Sequence, residues 1–119
     1  MSKYYIQKSP TTIPTEDGKT ILEHFGHASI NNPKLSIAHM KAPPGWGEPA
    51  QTPIFDEYTF IIRGKKQIVI GDETIILSSG QSIKVDKGTR VEYSNPFLEE
   101  CEYLAICNPA FSIDAANRE

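Results

Sequence analysis

Short runs of four to eight apolar and β-branched residues, each closed by Gly, Pro, Asn or Asp, recur along the whole chain and predict strands rather than helices. Strands are expected at residues 4–8, 20–26, 34–41, 58–64, 66–71, 73–78, 82–87, 90–94 and 101–108. The segments between them, such as "IPTEDGK", "APPGWGEP" and "NPFLEE", carry the residues that turns demand. Gly71 and Asp72 read as a tight hairpin turn and Gly80 leads into a further strand, so the centre of the chain is a meander. No window shows a clean helical period, and the closing "SIDAANRE" reads as a short helix or a frayed tail. Many short strands at regular spacing predict a sandwich or barrel, since closure removes exposed sheet edges.

The period of two also assigns faces. Glu57, Thr59 and Ile61 share one face, opposite Tyr58, Phe60 and Ile62, and Val91 goes with Tyr93. His39 alternates with Leu35 and Ile37, an apolar set expected to face the interior, where a lone histidine is either a hydrogen-bonded core residue or a ligand. His24 and His27, three apart in an expected strand, fall on opposite faces and are expected at the surface.

At 119 residues the chain supports one domain with a modest core. Its 12 Lys+Arg against 15 Asp+Glu form no basic stripe, which argues against a nucleic-acid partner. The longest apolar runs fall far below the roughly 18 residues of a membrane span, and the N-terminus lacks the apolar core of a signal peptide, so a cytoplasmic protein is expected. Cys101 and Cys107, if on one strand, stand about 20 Å apart at roughly 3.3 Å per residue. No disulfide between them is expected; both read as packing thiols rather than reactive ones.

One stretch, from Gly45 to Gly64, focuses the reading. Gly45, Gln51, Pro53, Glu57 and Gly64 stand at the spacing that resembles the first motif of the cupin superfamily, in which the Gln51 and Pro53 positions are histidines. Gly80, Asp86, Gly88, Val91 and Asn95 resemble the second motif, in which the Asp86 position is usually proline and the Val91 position histidine. The spacer between them is similar to that of small single-domain cupins, and "FDEY" and "CNPAFS" resemble the cupins of ethanolamine-utilisation operons. The resemblance implies an all-β fold, a double-sheet jelly-roll barrel spanning residues 1–119. N-terminal strands and loops would occupy 1–33, the barrel core with both motifs 34–108, and a tail 109–119. It also implies a homodimer, in which the apolar start of one chain extends a neighbour's sheet.

In metal-binding cupins three histidines and a glutamate hold a divalent cation. Here Glu57 alone keeps its place: Gln51 is a weak neutral donor, Pro53 has no donor and Val91 is apolar, so neither metal nor other cofactor is expected. By the resemblance the faces of Glu57 and of Val91 and Tyr93 line a pocket. Gln51, Glu57 and Tyr93 would orient a small polar organic molecule, while Val91, Ile61 and Phe55 supply apolar contact and Glu48 stands at the barrel mouth. Trp46 and Phe55 form either a lid or packing. The alternative is an enzyme, of isomerase, epimerase or lyase type, with Glu57 as general base assisted by Tyr93 and His39. A rearranged metal site drawn from His39, Glu48, Gln51 and Glu57 is a further form of it, and the same barrel is compatible with a purely structural role.

Overall fold

Alternation of inward and outward side chains builds the molecule, and the last long strand shows it most regularly: residues 101, 103, 105 and 107 are buried while those between them are partly open. The computed structural model describes residues 3–119. Its strands are β1 (Thr11–Ile13), β2 (Thr20–Phe25), β3 (Ser36–Ala42), β4 (Trp46–Gly47), β5 (Asp56–Arg63), β6 (Lys65–Ile70), β7 (Glu73–Ser78), β8 (Ser82–Val85), β9 (Glu92–Asn95) and β10 (Cys101–Asn108). Two helical turns accompany them, α1 (His27–Ile30) and α2 (Ile113–Ala116). A six-stranded sheet runs in the order β1-β2-β3-β10-β5-β8 and a four-stranded sheet in the order β4-β9-β6-β7, with every pairing antiparallel. This is the all-β jelly-roll barrel that the sequence predicts. No helix of the described residues is long and apolar enough to cross a membrane.

The chain passes from one sheet to the other at Gly64, between β5 and β6. Its φ is +83°, and a Cβ there would lie 2.4 Å from the Glu100 carbonyl oxygen, so only glycine turns this corner. Gly71 and Asp72 make the expected two-residue turn, joining Ile70 to its cross-strand partner Glu73. Between the sheets Ile61, Ile68, Leu77, Val85, Val91, Tyr93, Cys101 and Tyr103 pack into one core. A smaller cluster of Phe55, Cys107, Ala115 and Ala116 seals one end. The closing residues are ordered into this seal: Ser112 Oγ caps α2 by accepting from Ala115 N at 3.0 Å, and Ala115 O accepts from Ile54 N at 3.0 Å.

Two expectations fail at the N-terminal end. Residues 4–8 form no strand, because the free edge of β2 is taken by β1, with Thr11 opposite Glu23 and Ile13 opposite Ile21. The strand 20–26 stops at Phe25, since Gly26 adopts φ +149° where a Cβ would meet the Glu23 carboxylate at 2.7 Å. His27 therefore begins α1 instead of continuing the strand.

Candidate functional site

Residues of seven strands, of α1 and of the C-terminal segment line a cavity of about 220 Å³. Glu57 from β5, Lys66 from β6, Tyr93 from β9, Tyr103 and Cys107 from β10, and Met40 from β3 all reach it. Period two explains each: Glu57 shares its face with Ile61, Lys66 with Ile68, and Tyr103 with Cys101 and Cys107, so the residues that point into the core also carry the polar groups inward.

Glu57 is 9% exposed and its Oε1 accepts a hydrogen bond from Tyr93 Oη at 2.9 Å. The Cys107 thiol lies 3.8 Å from Oε2. Burial raises the pKa of Glu57, a rise that the positive charge of Lys66 and the Tyr93 hydrogen bond oppose. Burial likewise lifts the Tyr93 and Tyr103 hydroxyls well above the usual tyrosine value.

Lys66 is 3% exposed, and no acceptor or carboxylate among the described residues lies within hydrogen-bond or salt-bridge reach of its ammonium. Nζ instead stands over two aromatic faces, 3.8 Å from the Tyr103 ring centroid and 4.2 Å from that of Tyr93. Burial lowers its pKa to about 8, against the pull of Glu57. Acid and amine are thus driven in opposite directions by the same desolvation, each toward its neutral form.

A second polar cluster lines the same cavity. Glu48 Oε2 lies 3.2 Å from both Lys19 Nζ and Arg118 Nη2, and its side chain is 8% exposed. Arg118 Nε also donates to Gln51 Oε1 at 3.2 Å. Glu48, expected at the barrel mouth, lines the cavity as an acid paired with two cations. Gln51, expected to orient a ligand, does line the cavity but has its carbonyl oxygen engaged by Arg118.

Four expected site residues stand elsewhere. His39 points to the outer face of the six-stranded sheet, where Nε2 is 2.6 Å from Glu102 Oε2; on β3 the smaller Ser36 and Ala38, together with Met40, face the cavity. Neither the acid–base trio with Glu57 and Tyr93 nor the rearranged metal shell can include it. Val91, Ile61 and Phe55 are 1% exposed or less but belong to the packed core rather than to the cavity wall. Val91 is turned there by its bridge to Gln51. Trp46 is core as well, its Nε1 donating to Asp17 Oδ2 at 2.8 Å. Sequence reasoning missed Lys66, Tyr103, Lys19 and Arg118. The signal for Lys66 was present, since it alternates with Ile68 and Ile70.

The four positions that carry metal ligands in metal-binding cupins do not fit a cation here. Gln51 is occupied by a guanidinium, Pro53 offers no donor, Val91 is buried in apolar contact, and Glu57 faces the same cavity as an ammonium. Among the described residues no three His, Cys, Asp or Glu side chains stand close enough together to hold a metal ion.

Tyr93→Phe tests the polar wall directly. Removing the hydroxyl leaves Glu57 with the weak thiol contact alone, so stability is expected to fall by about 1–2 kcal/mol in urea denaturation. The pKa of Glu57 is expected to rise further, read by isotope-edited infrared of the carboxyl band.

A family model described as a cupin domain matches residues 38–107. The endoribonuclease YbeY of Myxococcus xanthus (strain DK1622) is 41% identical over 107 residues, which cover 90% of this chain and 36% of that protein. The chain thus spans about a third of that relative's length. Among solved structures, an oxalate decarboxylase variant from Bacillus subtilis superposes with a TM-score of 0.77 at 17% identity, covering 96% of this chain and 31% of that one. An RmlC-like cupin from Shewanella frigidimarina NCIMB 400 superposes with a TM-score of 0.73 at 12% identity, covering 92% and 93% of the two chains. At such identities the structural likeness is one of fold.

Proposed function

Since the chain belongs to the cupin family, we propose that its barrel serves as a metal-free receptacle for a small polar organic molecule whose acceptor oxygen is held by Lys66. The observation that carries this reading is the buried ammonium without an acceptor of its own. An ammonium withdrawn from water without a direct hydrogen-bond or ion-pair partner is costly, and lysines are rarely fully buried unless paired. Here the two tyrosine faces offset part of that cost while leaving the ammonium's hydrogens available to a guest. The ligand is small, because about 220 Å³ is below the roughly 300–1,000 Å³ of pockets for drug-sized molecules. Its remainder is apolar or mixed, matching Ile13, Ile21, Met40 and Phe111 around the polar centre.

The 2.9 Å bond between Tyr93 and Glu57 favours a second reading, in which the same cavity performs proton transfer on its ligand. The endoribonuclease named for the Myxococcus relative does not enter either reading. A cavity of this size does not admit a nucleotide strand, and a net charge of -3 offers no electrostatic footprint for one.

Thermal-shift and calorimetric titration of the parent and Lys66→Met against small organic acids, aldehydes, ketones and polyols tests the proposal. A ligand at a hundred times its Kd stabilises the folded chain by about 2.7 kcal/mol. Compounds that do so for the parent are expected to lose that effect in Lys66→Met. Equal stabilisation of both proteins would remove Lys66 from the contact and end the reading.

A further inference from the structure

We propose that Lys66 is a nucleophile, whose amine condenses with the carbonyl carbon of a small aldehyde or ketone in the cavity, Glu57 giving the proton that lets water leave. This deepens the reading of the cavity as a small-molecule site and rests on it.

Three observations converge. First, Lys66 is 3% exposed yet lines the cavity, so its nitrogen meets whatever the cavity holds and little else. Second, Glu57 is not the partner that a purely structural lysine would have. It is held by Tyr93 Oη at 2.9 Å and stays outside salt-bridge reach of Nζ, on another strand but on the same cavity. Acid and amine are therefore separate groups facing a common space, an arrangement suited to a guest between them. Third, the tyrosine rings 3.8 and 4.2 Å from Nζ favour a cation at that nitrogen without supplying an anion that would tie it down. They stabilise an iminium as well as an ammonium. The lowered pKa of Lys66, about 8, is consistent with a population of neutral amine near neutral pH.

The chemistry balances without a redox partner. The neutral amine adds to the carbonyl carbon, a C–N bond forms, and the π pair moves to oxygen. One N–H proton passes to that oxygen, giving the carbinolamine. Glu57, as the carboxylic acid, then protonates the hydroxyl, the C–O bond breaks and water leaves. The product is an iminium on Lys66 facing a Glu57 carboxylate. Hydrolysis reverses every step.

The test uses the full chain with pyruvate or with acetone, one carbonyl compound bearing a carboxylate and one without, in the presence of sodium cyanoborohydride near pH 7. Reduction traps the iminium as a secondary amine, which for pyruvate adds one pyruvic acid less one oxygen atom to the intact mass. Peptide mapping is expected to place the adduct from at least one compound on Lys66, at least about tenfold ahead of any surface lysine, given the larger neutral fraction of a lysine with lowered pKa. Glu57→Gln keeps an acceptor for Tyr93 and is expected to slow labelling by about a hundredfold, the lower range of general acid catalysis. Labelling spread over surface lysines, or Lys66 labelled no faster than they are, overturns the nucleophile. If ligands nonetheless stabilise the parent and not Lys66→Met, the binding reading stands alone; if they do not, both fall.

Discussion

Lys66→Met is expected to stabilise the protein by about 2 kcal/mol at pH 7, although it removes the residue on which the proposed ligand binding depends. The argument runs from burial. A lysine whose pKa falls from 10.5 to about 8 on folding is destabilising by about 3 kcal/mol below that lowered value, at about 1.4 kcal/mol for each pKa unit. Refilling the lysine's space with a side chain of different shape is expected to offset about 1 kcal/mol of this. Methionine has similar length, no charge, and enough torsional freedom to fill the same space beside Ile68. Exchange of a functional group for a better-packed apolar one is a common route to a more stable and less active protein.

The pH dependence distinguishes this cause from simple packing. Between pH 8 and 10.5 Lys66 holds its proton in the unfolded chain but not in the native one. The unfolded state then binds more protons, so this residue's contribution to stability rises with pH through that window. Cys101 and Cys107 act in the opposite sense. Burial raises both thiols above 9.0, so above that value the native state keeps protons that the unfolded state loses. The two trends overlap in the parent, and the difference between parent and variant isolates Lys66. Guanidinium denaturation across this range is expected to show the advantage of Lys66→Met shrinking from pH 8 toward pH 10. A constant advantage would assign the gain to packing and remove the buried charge from the explanation.

The parts of the molecule that were legible in the sequence are those that one local rule decides. Gly71 and Asp72 between two branched-residue runs specify a hairpin, and β6 and β7 pair around them as expected. The strand expected at "CEYLAICN" forms and buries alternate residues because β10 is central in its sheet and one of its faces is closed by the core. His39 shows where alternation runs out. The outer face of the same sheet carries a cross-strand row of Leu22, His39, Leu104 and Phe60, so β3 is apolar on both sides and hydrophobicity does not say which side is inside. A face that lines a cavity is also filled by small residues, here Ser36 and Ala38, which reads as the weaker hydrophobic side. Lys66 was overlooked for a related reason: in "KKQIVI" two lysines stand together, and a charged residue is ordinarily placed in water. Strand alternation alone places Lys65 outward and Lys66 inward, and the structure follows the alternation.

Asn95→Ala is expected to be the most damaging single change, lowering stability by about 3–5 kcal/mol. Its side chain is wholly buried, and its Nδ2 donates to the carbonyl oxygens of Ala42, Pro43 and Glu99 at 3.1, 3.2 and 2.8 Å. Its Oδ1 accepts from Phe97 N at 3.2 Å. One amide thus joins the end of β3, the loop into β4 and the turn before β10, and truncation strands several buried backbone groups at once. Asn95→Asp separates this cause from lost volume. It preserves shape and the acceptor for Phe97 N, but sets a carboxylate against three carbonyl oxygens, so it is expected to be at least as destabilising as alanine in chemical denaturation. Mild behaviour of Asn95→Asp would show that the donor amide is not what holds these segments. The damage is expected to extend to the cavity. Asn95 pairs with Trp46 across β9 and β4, and the next contact along that ladder, Glu48 N to Tyr93 O at 3.3 Å, holds together the two residues that carry the paired acid and the Glu57 hydroxyl partner. A motif position outside the cavity therefore sets the spacing of the cavity wall, and partial destabilisation there is expected to weaken the proposed ligand stabilisation before the fold is lost.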